Sequence, residues 1–145
     1  MQDRLNTIEN QLKTDLGALK AITDEFNLID DYLRLSSDGT IHGSFALPAI
    51  VFEAISPQNP INRGMQREEI SCMMAVIVED GNMKMARSKI KRLLSLVTDF
   101  LISDDWTYCN ETVIGNRGFD VGPFDDKKFR AVAGLEFVVL APLNK

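Results

Sequence analysis

The chain is poor in the side chains that most often carry chemistry. Its 145 residues hold one histidine (His42), two cysteines (Cys72 and Cys109) and one tryptophan. With a single histidine, a histidine-rich zinc site, a His-paired nucleophile and a two-histidine iron site all lack ligands within one chain, and His42 reads as a solvated turn residue. The cysteines lie far apart and belong to no paired metal or redox motif, so both are expected to be buried, reduced thiols. No apolar run approaches the roughly 20 residues of a membrane span. The opening Met1-Gln2-Asp3-Arg4 is polar, unlike a signal peptide, which gives an expectation of a cytoplasmic protein with no membrane partner. Asn110-Glu111-Thr112 therefore reads as an accidental glycosylation sequon. Positive charge is also scarce: the net charge of −5 argues against a nucleic-acid binder held by phosphate contacts, although a local basic patch stays open.

What is abundant is apolar side chain, 45% of the residues, enough for one core without disulfides or metal. The reading is a single domain over residues 1–145. Leu5, Ile8, Leu12, Leu16, Leu19 and Ile22 recur every three or four positions and predict an amphipathic helix. Residues 24–47 are expected to hold a short strand or an irregular excursion around the turn Ser36-Ser37-Asp38-Gly39. Pro48 opens a β-branched and aromatic run, Ala49 to Ile55, that suits a buried strand. The Pro- and Gly-bearing stretch 56–64 is a loop. Glu69 to Glu79 alternates Ile70, Cys72, Met74, Val76 and Val78 against Met73, Ala75 and Ile77, the two faces of a strand. Asp80-Gly81-Asn82 ends it as a turn. From Met83 to Ser103 the stripe of Ala86, Ile90, Leu93, Val97, Phe100 and Leu101 predicts a second helix. Trp106 to Ile114 reads as a strand, Gly115 to Lys128 as a long loop carrying three glycines and Pro123, and Phe129 to Leu140 as a final strand. The fold class is α+β: a mixed or antiparallel sheet of about four strands with two main helices, in the order α-β-β-α-β-β, plus a possible early strand.

Nothing in this pattern assembles a catalytic, cofactor or metal site. The carboxylate pairs Asp30-Asp31, Glu68-Glu69, Asp104-Asp105 and Asp125-Asp126 are adjacent in sequence, and neighbours on a strand point apart, so solvated surface is preferred over acid-base work. Gly115-Asn116-Arg117-Gly118 lacks the Lys-Ser or Lys-Thr of a phosphate loop. The expectation is a protein that is not an enzyme and needs no cofactor.

Two features point instead to contacts with other proteins. Lys84, Arg87, Lys89, Lys91 and Arg92 follow one another without an acid, a local +5 between flanks of −7 (residues 1–83, 6 basic and 13 acidic) and −3 (residues 93–145, 5 and 8). Charge runs usually solubilise a helix face, yet cations near a helix N-terminus oppose its dipole, so a role in docking competes with the bland one. The second feature is the sheet, whose predicted strands carry large apolar residues on both faces. Two helices on one side would leave an apolar face that a monomer rarely tolerates. Met65, Met73, Met74, Met83 and Met85 cluster as well, and suit either a core or an adaptable surface. Arg87 and Lys91 from the helix, with Arg117, Phe119 and Phe124 from the glycine-rich segment, are the candidate assembly residues.

The layout then resembles a family. An amphipathic helix is followed by Pro48-Ala49-Ile50-Val51-Phe52, a loop and a strand ending Ala75-Val76-Ile77-Val78-Glu79. A long helix comes next, then a last strand reading Ala133-Gly134-Leu135-Glu136-Phe137-Val138-Val139-Leu140. This resembles the lambda-type tail-terminator (tail-completion) proteins of long-tailed bacteriophages, over most of the chain up to residue 140 but not over Asn27–Leu47 or Gly115–Lys128. The resemblance implies a virion subunit, made in the host cytoplasm, that forms a ring, most simply a hexamer. Such a ring caps the tail tube, stops its polymerisation and meets a head-tail connector, and DNA passes through it without sequence-specific recognition. Other neck, head-completion or baseplate proteins, and a small ligand-binding domain or enzyme, are the competing readings.

Overall fold

The computed structural model describes residues 4–29, 47–57, 67–103, 106–108, 112–125 and 127–142. Its elements are α1 (Arg4–Thr23), β1 (Asn27–Ile29), β2 (Ala49–Pro57), β3 (Arg67–Asp80), α2 (Met83–Ile102), β4 (Thr112–Asp125) and β5 (Lys128–Pro142). The five strands form one sheet in the order β1-β2-β3-β5-β4. It is antiparallel except for the short β1, which runs parallel to β2. The α+β class and element order match the sequence reading, and the early strand is real.

The α1 stripe works as its spacing requires, because Ile8, Leu12 and Leu16 are buried and Leu5 and Leu19 pack against the core. Ile22 departs from expectation and is 84% exposed. The helix is already ending there: Asp24 takes φ 49° while its N–H donates to the Lys20 carbonyl at 2.7 Å, a left-handed stop. The chain then turns inward at Phe26, which is buried. Asn27 N–H and Nδ2 both donate to the Pro48 carbonyl, at 2.8 and 3.2 Å, tying β1 to the start of β2. The helix α2 starts at a true cap, since the Asn82 side chain accepts from Lys84 N–H at 2.8 Å and Met85 N–H at 3.3 Å. Ala86, Ile90, Leu93, Leu94, Val97, Phe100 and Leu101 form its buried face.

Both helices lie on one face of the sheet, α1 over β1 and β2, α2 over β3, β5 and β4. Beneath them sit Ile50, then Ile70 to Val78 at even positions of β3, and Ala131 to Val139 at odd positions of β5. Phe100 and Phe137 belong to this core.

The segment 106–128 differs from its sequence reading. Trp106 to Tyr108 is a turn, not a strand, and the expected loop 115–128 is nearly all strand: β4 runs to Asp125 and turns through Lys127 into β5. Glycines weaken a strand without forbidding it, and proline is accepted on an edge strand or at a bulge. β4 is such an edge, with irregularities between Ile114 and Arg117 and between Pro123 and Asp125. Trp106 plugs the helix-to-strand crossing, 6.2 Å from Phe100 and 5.2 Å from Tyr108 between ring centroids. Its Nε1 donates to Thr112 Oγ1 at 2.9 Å, and that hydroxyl donates to the Tyr108 carbonyl at 2.8 Å. Thr107 N–H and Oγ1 both donate to Asp15 Oδ2, at 3.0 and 2.9 Å, fastening the turn to α1.

Candidate assembly surface

The cations of α2 divide by role. Lys89 pairs with Asp80 at 2.6 Å, and this contact, followed by the Asn82 backbone N–H, holds the Asp80 carboxyl below the usual carboxylate range. Arg92 pairs with Glu25 beyond α1. These two cations serve the fold. Lys84, Arg87 and Lys91 are exposed, and Lys91 Nζ lies 5.9 Å from the centre of the Phe119 ring.

That contact shows where the β4 candidates point. Arg117 and Phe119 pair with Leu135 and Ala133 of β5, so they project toward the helix layer. Arg117 Nη1 donates to Thr98 Oγ1 of α2 at 3.0 Å, and Phe119 packs half-buried against the core. Phe119 is therefore a brace between β4 and α2 rather than a free anchor, because a strand fixes its alternate residues against the layer below. The Phe124 side chain lies outside the described residues, as do His42, Met65 and Cys109. The structure thus brings together Arg87, Lys91, Arg117 and Phe119 on the helix side, with the cations accessible and the ring tucked in.

Among the described residues, the opposite face of the sheet carries no helix. On its β2–β3 side Ala49, Val51, Ala75 and Ile77 are nonetheless buried, so this side adds nothing to the open apolar patch expected on the second face. On its β5–β4 side Val132, Val138 and Leu140 are half-buried and Val113 is 57% exposed. Glu136, Asp120, Gly134 and Gly118 are exposed there. Arg130 pairs with Glu79 across β5 and β3 on the same face. The glycine pair was not singled out from the sequence; only the strand register, Gly118 opposite Gly134 and Gly134 opposite Ala75, shows it.

Two other features have structural explanations. A cleft of about 320 Å³ is lined by Leu47, Pro48, Val78, Glu79, Asp80, Gly81, Lys89 and Lys128, but its Asp80, Lys89 and Glu79 are engaged in the ion pairs above. The Cys72 thiol is buried, and desolvation, with the Glu9 charge second, pushes it up to about 12, leaving no thiolate to react near neutral pH. Among the described residues no three or more His, Cys, Asp or Glu side chains gather where they could hold a metal ion. No described helix is long and apolar enough to cross a membrane. Compared with known proteins, the chain matches no family model and no curated sequence.

Proposed function

We propose that the chain is a structural subunit of a long-tailed phage particle, assembling as a ring, most simply of six copies, that caps the tail tube, halts its growth and offers a surface to the head connector. The observation that carries this reading is the one-sided packing of the sheet. Both helices cover one face, leaving Val113, Val132 and Val138 partly open beside exposed carboxylates on the other. A surface of this mixed kind suits burial against a neighbouring protein. The resemblance of the element order and strand sequences to tail terminators supplies the identity of the particle. In this reading the subunit acts through binding energy and catalyses nothing, needs no cofactor, and touches DNA only as the wall of a passage. The test is location: a tag on the subunit, imaged on intact particles, should mark a ring at the head-proximal end of the tube. A tag found along the whole tube or at the distal tip would assign the chain to another component.

A further inference from the structure

The strand β4 ends the sheet on one side, and no described strand pairs with its outer edge. It is 14 residues long, against three for β1 at the other end. A row of backbone N–H and C=O groups of that length is a template for a further strand. Its irregularities fall between Ile114 and Arg117 and between Pro123 and Asp125, and the stretch from Arg117 to Pro123 is in regular register with β5.

On the helix side this stretch presents Arg117, Phe119 and Val121, a shelf beside α2 whose Phe119 and Val121 are only half-buried. Two contacts set the flank of α2 above it: Arg117 Nη1 donates to Thr98 Oγ1 at 3.0 Å, and Lys91 Nζ lies 5.9 Å from the Phe119 ring centre. Helix and strand therefore run in opposite directions here, and Arg87, one turn before Lys91 on the same flank, comes level with Val121. Arg87, Lys91 and Arg117 are all exposed. A hydroxyl and an aromatic ring direct two of them without cancelling their charge, and among the described residues none of the three meets a carboxylate, whereas Lys89 and Arg92 of the same helix each do. The grouping works against the helix, because Arg87 and Lys91 are like charges at i, i+4 and the first turn holds no acid to offset its cations.

We infer that β4 takes up an extended acidic segment of another protein, which adds to the sheet edge and sets the carboxylates of alternate residues against Arg87, Lys91 and Arg117. The open edge specifies a strand, the three cations specify acid, and the Phe119–Val121 shelf receives the methylenes of the acidic side chains. Asp120 is exposed on the other face of β4, so the segment is acidic on one face only. An antiparallel second copy of β4 is the poorer occupant, because it would bring both sets of cations to the same side of the sheet. The inference rests on the reading of the chain as a binding subunit, not on the identity of the particle.

The test is a synthetic peptide alternating glutamate with threonine, titrated into the full chain and followed by amide NMR, with thermal melting as the folding control. It should shift the amides of Arg117 to Gly122 and slow their hydrogen exchange. Binding should weaken about tenfold or more in Arg87→Glu/Lys91→Glu, which should melt no lower than wild type. A lysine-threonine peptide should not bind. The glutamate-threonine peptide N-methylated at every second residue, made in both alternations, keeps its charge and should lose binding in the one that blocks the edge-facing N–H groups. No shift of these amides at millimolar peptide, or undiminished binding by both N-methylated forms or by the charge-reversed variant, would overturn the inference. Tighter binding of a single-stranded oligonucleotide through Arg87 and Lys91 would also overturn it, by giving the cations to phosphate. None of these outcomes bears on the ring, which is decided separately by its position on particles.

Discussion

Phe100 and Phe137 enter the core from opposite layers, one from α2 and one from the middle of β5, and both are buried. Truncating a core phenylalanine costs about 3–5 kcal/mol through lost burial and the cavity left behind, against a total stability of about 5–15 kcal/mol for an ordinary domain. Phe100→Ala and Phe137→Ala should each lower the unfolding free energy by about that amount and the denaturation midpoint with it; an unchanged midpoint in both would show that these side chains do not hold the layers together. The place of Phe137 on one strand face with Leu135 and Val139, and of Phe100 in the apolar stripe of α2, told the same story from sequence, because a strand has only two faces and a helix one stripe. Phe119 was harder. Its sequence neighbours are glycine and aspartate, which look like surface, and only pairing with Ala133 of β5 puts its ring over the core and under Lys91.

At the level of elements, α2 was legible because two signals agree, the apolar stripe of Ala86, Ile90, Leu93, Val97, Phe100 and Leu101 and the preceding turn Asp80-Gly81-Asn82, to which the structure adds the Asn82 cap and Leu94. β4 was not, because Gly115, Gly118, Gly122 and Pro123 outweigh its pattern under any reading by propensity. The signal that would have found it is the alternation of Arg117, Phe119 and Val121 with Gly118, Asp120 and Gly122, a period of two that a loop has no cause to keep. The consequence is experimental. If 115–125 were a loop, its removal would spare the fold. As part of the edge strand of a hairpin, paired with β5 from Arg117 to Asp125, it covers part of the core with Phe119 and Val121. Excising residues 115–125 should therefore broaden and lower the melting transition sharply. A shortened chain that melts like wild type would return the segment to the status of a loop.

Among the described residues, the main division is between a sheet face covered by both helices and a face that carries neither. The first closes a core that includes Trp106 and the free thiol of Cys72. The second shows carboxylates and small residues where a monomer would more often place a second layer. Under the proposed function the subunits of a ring would meet through two different surfaces, head to tail, and not through one surface repeated about a two-fold axis. The position of such a ring in a particle decides between a terminator and any other ring-forming component. The direct measurement is electron microscopy of tails assembled from a genome in which this chain's gene is disabled: the account predicts tubes longer than wild type and without heads, restored to normal length when the chain is supplied. Tails of wild-type length joined to heads in its absence would contradict it.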